Sequence, residues 1–556
     1  MLLVGGCVVQ VGIRLLFAVH QKAPILIPDE TGYLLAARLM AGGAAGDLSG
    51  WPLYQAGYPL LIAPAFWLSG DPATVYGLVT VINSLFGALL LVLAYLSLRR
   101  LDLSRTQAYV IATVTAALPS VIYYSRFAMA DAVLPVVVLG WLLLVHTWIA
   151  SGRWGYGAAA SAMAAYCYCV HSRGSIIAVV HAGLLVIALW RRWADKRDIA
   201  AAVGVLVAGS AAGWTLNDWV QSKIYADGVK PLGDFLIDRL TSLDGLAWTL
   251  SLAAGKVWFL TVSTCGVAGA GLVVVGALAV RRVTPRPIRA TSGAAIAALT
   301  GIAIASSASV PDEGTVANFV YGRYLGCLAP VLFMAGAAFA VRSTREAADR
   351  AVLATTCLTL ASGGVVWWYA GKRLSRSFFS VFEFPEISFL TWSWDALKLW
   401  PATCAALFLL ALAGLLIARY RQAGALLVAA AFIAFALADM AVVSKRVVRY
   451  WEGELESATS LAPAGLQAHD RVALDFSGLP WRIWVSQSFQ VRTGLKPLDR
   501  FRRETLPRDA TLVVVPWDAP LLQRPENSWP AAPPNWHPVS IRTTYAGDWV
   551  AWRPER

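Results

Sequence analysis

Thirteen stretches of this chain are apolar for long enough to cross a bilayer, and that feature leaves few folds open to it. In hydrocarbon every backbone N–H and C=O must be satisfied within the protein, and a helix of about 20 apolar residues does this while spanning the membrane. The stretches are residues 2–20, 74–98, 107–124, 132–150, 156–170, 175–190, 199–216, 256–280, 290–308, 325–341, 351–370, 396–418 and 423–441. The first lacks a basic leading segment and a small-residue cleavage site, so it reads as a retained helix. Charged residues make up only 14% of the chain, against about 25% in soluble domains. A large soluble globule and a disordered chain are both excluded.

The loops fix a direction. With the N-terminus in the cytoplasm, six alternate loops between Arg99 and Arg421 hold seventeen Lys/Arg and five Asp/Glu, and each obeys the positive-inside rule. The same asymmetry accounts for the net charge of +13 without a nucleic-acid partner. The expectation is a multi-pass plasma-membrane protein with a cytoplasmic N-terminus and an extracytoplasmic C-terminus. Beyond residue 441 charges and prolines appear throughout, with β-type runs at 471–475, 481–485, 511–515 and 545–552. The fold class expected is an all-α polytopic domain over 1–441 carrying a small extracytoplasmic α/β domain over 442–556. The seven cysteines lie in or beside apolar runs, an odd count without zinc-ligand spacing, and read as small buried hydrophobes.

The outside loops carry the chemistry. The first contains Ile27-Pro28-Asp29-Glu30-Thr31-Gly32-Tyr33, where a proline and an acidic pair open a helix. The following residues 31–41 are amphipathic and suit the membrane interface. Trp51 to Leu61, including Gly57-Tyr58-Pro59, is a turn-rich aromatic re-entry. Later outside loops supply Arg126 with Asp131, His171 with Arg173, Tyr321-Gly322-Arg323-Tyr324, and Lys372 with Arg373.

Those segments resemble the GT-C superfamily of polyprenyl-phosphate-sugar-dependent glycosyltransferases, in the branch of the protein O-mannosyltransferases and the lipid A aminoarabinose transferases. The likeness is carried by Asp29-Glu30 with Tyr33, by Gly57-Tyr58-Pro59, by Arg126 to Asp131 and by Arg323-Tyr324. It implies that Asp29 is the catalytic base, that Glu30 and Asp131 are the accompanying acids, and that Arg323 contacts the donor phosphate. The chain departs from the oligosaccharyltransferases in lacking their WWD motif, since Trp367-Trp368 is followed by Tyr369.

The residues read on their own agree. A hydroxyl attacking a sugar C1 must lose its proton, and a carboxylate within hydrogen-bond reach takes it. The leaving phosphate gains charge, which arginine matches with paired N–H donors. Arg126, Arg173, Lys372 and Arg373 join Arg323 as candidate phosphate contacts, and Tyr33, Tyr58, His171, Tyr321 and Tyr324 as candidate substrate contacts. The partners expected are a polyprenyl-phosphate sugar, an acceptor that is a glycan, a lipid or a protein, and membrane lipids. No cofactor is required, and no carboxylate set calls for Mg or Mn. Each residue type also has a plainer use: headgroup anchors for the basic residues, a helix cap for Asp131, an interfacial belt for the tyrosines. A transporter or flippase is the alternative, although no internal repeat is visible and the ionisable residues gather at one face.

Overall fold

The computed structural model describes residues 1–231, 233–518 and 524–555. Its architecture is the expected one: a bundle of apolar helices followed by a small mixed sheet. Among the described residues eight helices are long and apolar enough to span a membrane, or nine if the bent pair Arg105–Ala116 and Pro119–Ser125 is one span. Four shorter apolar helices, Leu2–Ala18, Gly57–Leu68, Val267–Val280 and Ala329–Arg342, accompany them.

Two of the expected spans differ in detail, and the first, 107–124, is bent by 53° between Ala116 and Pro119. The run 256–280 is not continuous: it divides into Leu243–Val262 and Val267–Val280, because Cys265 and Gly266 both take positive φ. The last two runs are separate as expected: the helical stretch Leu399–Val443 that holds them is interrupted at Arg421, with φ 54°. A Cβ on Gly424 would lie 2.1 Å from the carbonyl of Leu416. A continuous helix would hold residues eight apart at about 12 Å, so the chain reverses at this point.

Small residues set how closely the helices approach. Val267–Val280 crosses Ala329–Arg342 so tightly that a Cβ on Gly271 would sit 1.8 Å from Leu332 O, and one on Gly336 2.2 Å from Val267 O. Such contact is the usual means of helix association in lipid, where apolar burial drives nothing. Arg14, inside the first apolar helix, is fully buried and structural. Its guanidinium donates to Gln10 O at 2.9 Å and to Ala116 O at 2.6 Å, a carbonyl that the bend after Ala116 leaves free.

The C-terminal sheet has the order β2-β1-β3-β5-β4, with β1 Val472–Leu474, β2 Leu495–Pro497, β3 Leu512–Pro516, β4 Trp536–Arg542 and β5 Trp549–Pro554. β1 runs parallel to β2 and β3, and β5 antiparallel to β3 and β4. The run 481–485, expected as a strand, is the start of the helix Trp481–Gln490. Over five residues either period fits, but across ten the apolar residues at 481, 484, 485 and 489 repeat at helical spacing behind Pro480.

Asp470 ties this sheet together. It accepts from Arg553 Nη2 at 2.6 Å, from Thr511 Oγ1 at 2.7 Å and from Gln467 N at 2.7 Å. Burial alone would raise its pKa, yet these donors, Arg553 first, hold it down to about 2. A carboxyl depressed in the folded state stabilises fully above the unfolded value of about 4 and loses that contribution as pH falls toward 2. Acid should therefore loosen the sheet in that window, read by tryptophan fluorescence, and Asp470→Asn should remove the dependence. The same acid profile in both proteins would contradict this.

Candidate active site

The segment before Asp29 is shaped by its neighbour Glu30. The Glu30 carboxylate is buried and accepts from the backbone N–H groups of Ile25, Leu26 and Ala128, each at 2.8 Å, and from the Tyr76 hydroxyl. Burial pushes its pKa up while these donors oppose the rise. Glu30 thus joins the turn before its own helix to the segment leading into Asp131. Its acceptor sites are spent on that task, and Asp29, one residue earlier, is left facing outward.

The helix Asp29–Met40, whose amphipathic pattern suggested a face laid on lipid, is covered by protein instead. Every residue from Glu30 to Arg38 is buried. The cover comes from two sides: Tyr54 and Tyr58 pack edge-on against Tyr33, and Arg38 Nη1 donates to Val491 O at 2.9 Å and Ser488 O at 3.1 Å in the C-terminal domain. The partners of a helix with one charged face are invisible in its own pattern.

Four side chains from distant parts of the sequence meet in one cluster. Arg323 donates through Nη1 to Asp29 Oδ2 at 2.7 Å and through Nε to Asp131 Oδ2 at 2.9 Å, with Nη2 in ion-pair contact with the same oxygen at 2.9 Å. Arg173 Nη2 donates to Asp131 Oδ1 at 2.8 Å and its Nη1 to Arg323 O at 3.1 Å. Asp131 is therefore held between two guanidiniums. Burial would raise its pKa, but Arg173 and then Arg323 outweigh it and keep the carboxyl well below the usual range. Exposure grades across the cluster, from 3% for the side chain of Arg173 and 4% for Asp131 to 15% for Arg323 and 31% for Asp29. A cavity of about 10 Å³, room for roughly one water, lies against Tyr124, Asp131 and Arg323.

The other candidates divide. Tyr33 is buried edge-on to Tyr58, whose hydroxyl donates to Asn83 Oδ1 at 3.0 Å. Tyr321 and Tyr324 pack edge to face beside Arg323, and the Arg173 guanidinium lies 5.4 Å from the Tyr324 ring. His171 accepts the Arg173 N–H at Nδ1, 3.2 Å away, and burial together with the Arg173 charge pushes its pKa well below the usual range. Arg126 stands apart as a strut, donating to Gln21 Oε1 at 3.0 Å and Ser444 Oγ at 2.6 Å. Lys372 is exposed, and Arg373 bonds back to Tyr369 and Ala370 carbonyls, so neither joins the cluster.

Three residues were missed. Tyr54 donates its hydroxyl to Asp29 Oδ1 at 3.0 Å. Lys256, fully buried, donates to Ser306 Oγ at 2.6 Å and Ser307 Oγ at 2.9 Å and lies 4.8 Å from the Tyr324 ring centroid. Its signal was present, since a lysine within an apolar run is a functional suspect. Glu383 lies near Arg323, with its pKa pushed up to about 7 by burial against the pull of that arginine. Among the described residues no three His, Cys, Asp or Glu side chains are grouped to hold a metal ion.

No protein-family profile and no curated protein matches the chain. Solved structures do. ArnT from Cupriavidus metallidurans bound to undecaprenyl phosphate aligns with a TM-score of 0.55 over 99% of this chain and 97% of that one, at 15% identity. The apo form of the same protein gives a TM-score of 0.53 with the same coverage and identity. At such identity the likeness is one of fold.

Proposed function

We propose that the protein is a membrane glycosyltransferase that takes a sugar from a polyprenyl-phosphate donor and passes it to an acceptor hydroxyl outside the cytoplasm. The observation that carries this reading is the pairing of a half-exposed carboxylate, Asp29, with a guanidinium, Arg323, at the rim of a buried ion cluster. In one displacement the acceptor oxygen attacks C1, its proton passes to Asp29, and the C1–O bond to phosphate breaks with its electron pair leaving on the phosphate. Configuration at C1 inverts. Charge grows on the leaving phosphate, where preorganised donors are worth a few kcal/mol each. Arg173 and Arg323 place two guanidiniums at this site, the donor type that matches a lipid phosphate.

Asp131 in this reading is the buried counter-ion that orients both arginines, and Glu30 a positioning residue for the Asp29 turn. Residues 1–441 form the catalytic membrane unit and 442–556 an extracytoplasmic domain seated over its mouth, with the N-terminus cytoplasmic. The fold shared with ArnT, crystallised with undecaprenyl phosphate, supports a donor of that chemistry.

Mass spectrometry of lipids that copurify with the protein tests the proposal. A polyprenyl phosphate, bare or carrying a sugar, is expected, and adding an acceptor extract should convert the second into the first. Bulk phospholipids alone would count against a donor site. Movement of the intact lipid-linked sugar between leaflets, with no transfer, would point instead to a flippase.

A further inference from the structure

Arg323 grips two carboxylates unequally. Toward Asp131 it uses two nitrogens in a buried contact, with 4% exposure on the acid. Toward Asp29 it uses one nitrogen, and the acid is 31% exposed. A single charge-assisted bond open to solvent is the weaker of the two. Both Asp29 oxygens are engaged in this state, Oδ2 by Arg323 and Oδ1 by Tyr54. A carboxylate so occupied is poorly placed to take a proton from an incoming hydroxyl. The groups facing Asp29 are these two and, within electrostatic reach, Tyr33, Tyr324 and Tyr225. Glu30 turns away into its own pocket.

We propose that Arg323 is a donor-operated latch: it holds Asp29 until the phosphodiester of a polyprenyl-phosphate sugar takes the guanidinium over, and only then is the base free for the acceptor. The inference rests on the donor reading above. Asp131 keeps the guanidinium anchored through Nε and Nη2, so Nη1 is the edge that changes partner. The two unesterified oxygens of the donor's phosphodiester offer it a charge-assisted, paired acceptor in place of one carboxylate oxygen. The order of events follows. Donor binds first, the acceptor hydroxyl meets an unlocked base second, and the protein without donor holds no active base that water can exploit.

Linkage makes this testable without knowing the sugar or the acceptor. If the phosphate must displace Asp29, removing the Asp29 charge tightens phosphate binding. Undecaprenyl phosphate affinity is measured on the full-length protein in nanodiscs for wild type, Asp29→Asn, Arg323→Gln and the double variant. Asp29→Asn should bind about tenfold more tightly than wild type, equivalent to about 1.4 kcal/mol, and this gain should vanish in the Arg323→Gln background. Simple charge repulsion between Asp29 and the phosphate would give the same gain in both backgrounds, and that result overturns the latch while leaving the donor reading standing. No gain in either background overturns it equally. Absence of undecaprenyl phosphate binding in wild type and Asp29→Asn alike would overturn both readings. Should Arg323→Gln fail to fold, Arg323→Lys serves, since one ammonium cannot reproduce the fork and the gain should shrink.

Discussion

Replacing Asp29 with asparagine should lower the rate of sugar transfer by about 10²- to 10⁴-fold, the range in which a positioned general base acts, while the protein still folds. The two halves of that expectation come from the same geometry. Asparagine keeps a carbonyl for the Tyr54 hydroxyl, and Arg323 keeps its two contacts to Asp131. With the Asp29 side chain 31% exposed, loss of its charge leaves no buried arginine unpaired. A partly exposed pair of this kind contributes less than the buried pairing to Asp131. The chemistry has no such substitute, because the amide does not accept the acceptor's proton. Turnover of a polyprenyl-phosphate sugar, measured beside thermal unfolding, checks both halves. Full activity in the variant would remove Asp29 from the mechanism.

Asp131→Ala should do the reverse and act first on the fold. Asp131 is 4% exposed and receives two guanidiniums, and without it Arg173 and Arg323 face each other in a buried site. Removing one partner of a buried ion pair costs about 3–5 kcal/mol, because the charge left behind is uncompensated. The consequences spread along the chain, since Arg173 also braces the carbonyls of Arg323 and Tyr324. A marked drop in the unfolding midpoint and in recovered folded protein is expected. Joint replacement of Arg173 by methionine should restore part of the loss by removing one orphaned charge. An unchanged midpoint for Asp131→Ala would mean that the cluster is not what holds these loops together.

How much of this was legible depended on whether a residue's meaning is local. The apolar runs announce membrane helices because each helix satisfies its own backbone. The break within 256–280 was opaque, because Cys265 and Gly266 sit inside an unbroken apolar run until positive φ sets in, whereas the break at Arg421 falls in the basic loop expected between the last two spans. Asp29, Asp131, Arg173 and Arg323 stood out because charge beside an apolar run is unusual, and the structure brings these four together. Arg126, Lys372 and Arg373 stood out for the same reason and lie elsewhere, which is why charge at a membrane face nominates residues without assigning them. Glu30 illustrates the limit most sharply. Beside Asp29 it reads as half of a catalytic pair, yet helical geometry turns the two carboxylates to different neighbours, and only the backbone donors at Ile25, Leu26 and Ala128 give its task away. Tyr54 lay within an aromatic re-entry segment already singled out, but its bond to Asp29 is a product of tertiary folding.

The most direct trial of the central claim is a cryo-EM structure of the protein with undecaprenyl phosphate. The phosphate is expected within hydrogen-bond reach of the Arg323 guanidinium, at about 3 Å, with Asp29 released from Nη1 and open to a cleft. A phosphate bound at a distance from Arg323, with the Asp29–Arg323 bond intact, would contradict it.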